Sequence, residues 1–158
     1  MAGRIRTVIM TVFLVTFAAG VAVAQDKPAD NSDIIREKVR ADKKLLVSEA
    51  LQLSESEAKS FWPVYNSYQS DMIEHYNRVS ALISTYSAAY QTMTDETATK
   101  LLKDFVTLET AHAALLNKYL PRFQGVLPPR KVARFYQVEN KLRALVNYEL
   151  AREIPLIK

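Results

Sequence analysis

The stretch "FWPVYNSYQSDMIEHYNRVSALISTYSAAYQTM", residues 61–93, decides the fold of this chain. Its apolar and aromatic side chains recur at alternating steps of four and three residues, which places them on one face of a helix. The residues of this seam are Phe61, Tyr65, Tyr68, Met72, His75, Val79, Leu82, Tyr86, Ala89 and Met93. A seam of this length predicts one long helix that begins at residue 54 and ends near residue 93.

The preceding segment, "LSESEAKSF" at residues 53–61, shows how this helix begins. Ser54 and Glu57 stand three residues apart, which is the spacing of a capping box that satisfies two helix-start N–H groups reciprocally. Pro63 follows within the same helix, where it cannot donate to the carbonyl four residues earlier and crowds it. We therefore predict a kink or a helix restart between residues 61 and 64.

Three further helices are predicted, over residues 33–50, over residues 95–124, and from the segment "VLPPRKV" at residues 126–132 to near residue 153. Thr94 or the aspartate after it caps the third helix, and a Pro-Pro pair opens the fourth, where missing N–H groups cost nothing. Gly125 follows the third helix, at a place where a residue in left-handed geometry is expected. The short connection at Thr94 predicts that the second and third helices pack antiparallel.

Helical spacing assigns a buried face to each of these helices. The first buries Ile35, Val39, Leu46 and Ala50. The third buries Leu101, Phe105, Leu108, His112, Leu115 and Tyr119. The fourth buries Val132, Phe135, Val138, Leu142, Leu145 and Val146. The opposite face of the first helix carries Arg36, Arg40, Lys43 and Lys44, a pattern typical of a solvated face.

Composition supports an all-α fold. Beyond residue 24 the chain has a single glycine, whereas sheets joined by tight turns need several at positive φ. The absence of cysteine excludes disulfides, thiolate metal ligands and cysteine nucleophiles. We predict one all-helical domain over residues 33–158, a four-helix hairpin, bundle or cradle with a long kinked second helix.

The N-terminus has the pattern of a secretory signal peptide. Arg4 and Arg6 precede an apolar run, and Ala22 and Ala24 occupy the small-residue positions of a cleavage site. We expect cleavage after Ala24, export to the periplasm, a flexible leader over residues 25–32 and no stable membrane insertion afterwards. An uncleaved anchor is the alternative. The net charge of +4 falls to +2 without the two arginines, which does not suggest nucleic-acid binding.

The two histidines are the sharpest chemical candidates. In the predicted hairpin, His75 and His112 lie at nearly the same height, and "ETAH" places Glu109 one turn before His112. These three residues could hold a single zinc ion, or the histidines could be polar core residues hydrogen-bonded to each other, to a tyrosine or to water. A di-iron centre needs a second Glu-x-x-His, but Met72 rather than a glutamate stands three residues before His75, the other histidine. We therefore assign no metal and no cofactor.

Neither a nucleophile elbow nor a glycine-rich phosphate loop occurs in the sequence, so we expect a protein that is not an enzyme. The tyrosines of the second helix are either core residues or an amphipathic groove for apolar segments of other proteins. The basic residues of the fourth helix are either solvated or steer a partner. The candidate client-binding residues are Trp62, Tyr65, Tyr68, Tyr76, Arg130 and Arg134.

Two segments resemble the Spy and CpxP family of periplasmic helical proteins, whose signature is a pair of Leu-Thr-x-x-Gln motifs. Leu53-Ser54-Glu55-Ser56-Glu57 is similar to the first motif, with Ser for Thr and Glu for Gln. Leu127-Pro128-Pro129-Arg130-Lys131 occupies the place of the second, where only the leucine matches. The resemblance implies a cradle-like helical homodimer that acts as an ATP-independent chaperone or as a modulator of envelope-stress or metal sensing.

The sequence thus supports three functional hypotheses. The first is a periplasmic chaperone that binds unfolded or partly folded envelope proteins. The second is a zinc-responsive binding or sensor protein that uses the histidine pair. The third is a structural helical module whose apolar surface, including a coiled-coil seam, is consumed by packing within the chain or the dimer.

Overall fold

The computed structural model describes residues 31–157, with side chains described from residue 41 onward. Four α-helices follow one another: α1 (Asn31–Leu51), α2 (Glu55–Ala89), α3 (Asp95–Gln124) and α4 (Pro129–Glu153). A 3₁₀ turn at Tyr90–Thr92 extends α2. The described residues contain no strand, which confirms the all-α fold with a long second helix. The predicted signal peptide lies outside the described residues, as does all of the leader except its last two residues, which belong to α1.

None of the described helices combines the length and apolar character that crossing a membrane requires.

Residues at the first turns of α2, α3 and α4 explain why these helices begin where they do. Ser54 Oγ accepts from the Glu57 N–H at 3.3 Å, and Glu57 Oε2 accepts from the Ser54 N–H at 2.7 Å, so the capping box is confirmed. Thr94 Oγ1 accepts from the Thr97 N–H at 3.2 Å and caps α3. Pro129 is the first residue of α4. Each cap satisfies donors that a helix start otherwise leaves unpaired.

Two backbone expectations were wrong. Gly125 has φ −72° and remains right-handed, because its N–H continues the helical pattern by donating to the Pro121 carbonyl at 3.0 Å. The left-handed residue is instead Gln52, with φ 45°, which ends α1. A restart at Pro63 was also wrong, since α2 continues through it without interruption. A bend at that position stays a prediction.

The helix continues through Pro63 because its neighbours are fixed in the core. Proline removes one hydrogen bond and strains the preceding turn, at a cost of about 3 kcal/mol. Phe61 and Tyr65 lie on either side of it and are both buried. Burying two aromatic side chains contributes about as much or more, which holds both turns in place.

The four helices alternate in direction. α2 and α3 form the most extensive antiparallel pair, and α1 packs against α4. α4 runs parallel to α2: Lys131 near its start bonds Glu57, and Pro155 just past its end accepts from the Tyr86 hydroxyl. The second half of α4 therefore lies on α2, where Leu150 packs with Ile83.

Aromatic rings from three helices fill the main core. They are Phe61, Tyr65, Tyr68, Tyr119, Phe123 and Phe135. Val47 and Leu51 close this cluster from α1, Leu127 closes it from the α3–α4 connection, and Val132 closes it from the first turn of α4. Many ring pairs lie edge-to-face or tilted, an arrangement that adds to the stabilisation from buried area.

Among the residues whose side chains are described, three apolar residues predicted to be buried are exposed: Leu46, Phe105 and Leu145. Ile35 and Val39, also predicted to be buried, lie outside those residues. α1 is rotated by one residue, so that Val47 rather than Leu46 enters the core. On α3, Phe105 follows the heptad pattern, but the neighbouring part of α4 packs on α2 and leaves it uncovered. On α4, Val146 takes the inward position beside Leu145. These faces depend on where the neighbouring helices lie, which periodicity alone does not specify.

Candidate functional site

The tyrosines proposed as a client-binding groove belong mostly to the core. Tyr65 and Tyr68 are 4% and 1% exposed, and both pack against Phe135. Trp62 and Tyr76 are half-buried beside them. Burial raises the pKa of Tyr76 to about 12. Tyr65 and Tyr68 therefore serve the fold in this chain, in agreement with the alternative that the stripe is a core.

Two basic residues of α4, the candidate Arg134 and its neighbour Lys131, hold the first helix in place. Arg134 Nη1 donates to the Ala50 carbonyl at 3.2 Å, at the C-terminal end of α1. Lys131 donates to the Gln52 carbonyl at 2.9 Å and to Glu57 at 2.6 Å. Arg130 is exposed to solvent. These contacts satisfy carbonyls that a helix end leaves unpaired, and they fasten α4 to the α1–α2 connection.

His75 and His112 face each other across α2 and α3, as the hairpin register predicted. Their ring centroids are 5.5 Å apart, and each residue is 6% exposed. Burial is the main cause that lowers the pKa of both histidines. Arg143 adds to this effect at His112, while the carboxylate of Glu109 opposes it.

The three candidate zinc ligands, His75, His112 and Glu109, are not arranged as a metal site in the part of the chain whose side chains are described. Glu109 Oε2 accepts a hydrogen bond from Arg143 Nη2 at 2.7 Å, which ties the carboxylate to α4. Within residues 41–157, whose side chains are described, no group of three or more potential ligands is placed to hold a metal ion. Because structural zinc requires four ligands and catalytic zinc three, the histidine pair is insufficient on its own.

A buried polar cluster was missed by the sequence reasoning. Glu139 lies on the buried face of α4, where its Oε2 accepts hydrogen bonds from Lys43 Nζ at 2.9 Å and from the Tyr68 hydroxyl at 3.2 Å. Lys43 also donates to Gln69 Oε1 at 3.0 Å. The cluster joins α1, α2 and α4, and it places Lys43 inside a helix contact rather than on a solvated face.

One signal in the sequence could have found this cluster. The steps of three and four that place Phe135 in the core continue to Glu139 and Leu142. An acidic residue at a seam position requires a buried partner, because an unpaired charge in the core is costly. The lysine on the neighbouring helix supplies it.

Exposed apolar side chains concentrate on α3. Leu102, Phe105 and Val106 share one side of the helix at steps of three and four, and are 63%, 53% and 54% exposed. We call these three residues the α3 apolar patch. Lys103, two residues before Phe105, and Glu109, four residues after it, are exposed as well and flank the patch with charge. Leu145 and Tyr148 form a smaller exposed pair on α4.

No protein-family model, no curated protein and no solved structure matches this chain.

Proposed function

We propose that this protein binds apolar segments of unfolded or partly folded envelope proteins, without catalysis and without ATP. The α3 apolar patch is the observation that carries the proposal. Three large apolar side chains, each more than half exposed, lie together on one face of α3. Exposed apolar surface rimmed by polar residues is typical of interaction sites. The signal-like N-terminus and the resemblance to the Spy and CpxP family support a periplasmic setting.

The strength of such binding can be bounded. Fully burying a Leu, Phe or Val side chain contributes about 1.5–3 kcal/mol. The three patch residues expose a little over half of their surface, so covering them gains about 3–4 kcal/mol in total. Association also costs translational and rotational freedom, so a single patch gives a Kd of about 1 mM or weaker. One patch therefore holds a client weakly and reversibly, which suits a chaperone that must release its client without ATP.

Tighter capture requires more than one contact. The exposed Leu145 and Tyr148 on α4 offer a second apolar contact on the same chain. A homodimer, as the family resemblance implies, would present two α3 apolar patches to one flexible client. Linked weak sites raise the overall affinity by two or more orders of magnitude when both can be reached together.

Aggregation assays test the proposal. A client protein is diluted from denaturant, and light scattering is followed with and without about a fivefold excess of this protein and no ATP. We expect suppression by the natural protein and its loss in the variant Leu102→Ser/Phe105→Ser/Val106→Ser. The control Leu45→Ser/Leu46→Ser removes exposed leucines from α1 and should leave suppression intact.

Two results would reject the proposal. One is the absence of suppression by the natural protein at this excess. The other is equal loss in the patch variant and in the α1 control, which would mean that α3 has no special part in client binding. Circular dichroism of each variant confirms that it retains the helical fold before the assay is interpreted.

A further inference from the structure

The contact between His75 and His112 favours neutral rings over protonated ones. Both imidazoles are buried between α2 and α3, with their centroids 5.5 Å apart. If both rings gain a proton, two positive charges face each other in a poorly solvated contact. Such a pair costs folding free energy unless a nearby anion compensates it.

The surroundings of the pair supply little compensation. Arg78 on α2 and Arg143 on α4 add positive charge near the rings, and Glu109 on α3 adds negative charge. Glu109 is already hydrogen-bonded to Arg143. The ring of Tyr76 is tilted against that of His75, with the centroids 5.6 Å apart, and brings no charge at neutral pH. These groups, from each of the three helices around the pair, leave a net positive environment.

One ring nitrogen of His75, Nδ1, also has no acceptor to which it could donate a hydrogen bond. This atom is buried and makes no hydrogen bond to any described residue. A proton on Nδ1 would therefore be a buried donor without a partner, at a cost comparable to a lost hydrogen bond. Packing, charge and hydrogen bonding thus all favour the neutral pair.

We propose that the His75–His112 pair is an acid-sensitive lock, which holds α2 against α3 while both rings are neutral and loosens this contact when they gain protons. The lock stands independently of the proposed function. Only one consequence rests on that function: loosening would expose Leu108 and Met72, the buried neighbours of the pair along the hairpin, and so enlarge the apolar surface offered to a client at low pH.

The direction of the pH effect follows from linkage. Both histidines have a lowered pKa in the folded protein, so the unfolded chain binds more protons once the pH falls below about 6.5. Stability is therefore fully present above that pH and decreases as the pH falls toward the folded-state pKa. Between pH 7.5 and 5.5 the unfolding equilibrium constant should rise by up to about tenfold for each histidine.

Urea unfolding of the full chain at these two pH values provides the test. The natural protein should show a rise of well over threefold in its unfolding constant, and His75→Gln/His112→Gln should show a much smaller one. Asp71→Asn is the control, because Asp71 titrates below its ordinary value of 3.8 and should not alter the ratio. Equal ratios in the natural protein and the double variant overturn the proposal.

Proton NMR of the natural protein gives a second readout that needs no substitution, should the double variant fail to fold. Both histidine ring signals should titrate with midpoints below 6.5, and a midpoint at or above 6.5 for either ring overturns the lock. Amide exchange, corrected for its intrinsic pH dependence, should also show weaker protection over residues 72–79 and 108–115 at pH 5.5 than at pH 7.5. Unchanged protection there contradicts the loosening of this contact.

Discussion

Phe123 is the residue at which the aromatic core converges, and truncating it should remove a large part of the stability. The side chain is 0% exposed. Its ring lies 4.5 Å from that of Phe135 on α4 and 5.7 Å from those of Phe61 and Tyr68 on α2. Phe→Ala in a core typically costs 3–5 kcal/mol, and less where the surroundings can collapse. Because rings from two other helices border the site, we expect Phe123→Ala to cost about 4–5 kcal/mol.

Urea unfolding followed by circular dichroism measures this cost. With a slope of about 1.5 kcal/mol per M, the midpoint should fall by roughly 3 M. Phe105→Ala is the matched control, since it makes the same chemical change at a residue that is 53% exposed. We expect it to cost about 1 kcal/mol or less. A loss below about 2 kcal/mol for Phe123→Ala, or equal losses in the two variants, would refute this assignment of core and surface.

Three further outcomes follow from the polar contacts, each measured by urea unfolding. Lys43→Met leaves the Glu139 carboxylate buried without its cation and should cost about 2–4 kcal/mol of stability. Adding Glu139→Leu should restore a substantial part of that loss, whereas additive losses from the two substitutions would contradict the buried pair. Ser54→Ala should cost about 1 kcal/mol through the lost capping box, whereas Ser84→Ala in the helix interior should cost nothing. The lysine and tyrosine that are hydrogen-bonded to Asp71 lower its pKa, so the carboxylate stabilises the fold above pH 3.8 and this stabilisation disappears as the pH falls further. Asp71→Asn should therefore be less stable than the natural protein at pH 6 but not at pH 2.

The features that the sequence predicted well are local ones. The capping box at Ser54 and Glu57 depends on four consecutive residues, and its geometry is as expected. To predict that His75 and His112 face each other, it was enough to recognise two helices joined by a short connection. Contacts of this kind are specified by spacing along the chain, so a single sequence is sufficient to predict them.

The features that could not be predicted from the sequence depend on how the helices are placed relative to one another. Phe105 fits the α3 seam as well as its buried neighbours do, yet it is exposed, while the second half of α4 packs on α2. Lys43 resembles any solvated lysine until Glu139 from a helix 96 residues further along the chain is placed beside it. The aromatic residues of α2 were open to two interpretations for the same reason, because a core and a groove have the same period.

Client binding at the α3 apolar patch is the central claim, and site-specific photo-crosslinking tests it most directly. A photoreactive phenylalanine analogue replaces Phe105 in one variant and the exposed Lys59, on the first turns of α2, in another. Each is illuminated with a client in its unfolded and in its folded form. The account predicts adducts from position 105 with the unfolded client, and few from position 59 or with the folded client. Equal yields at the two positions, or no adduct at position 105, would contradict it.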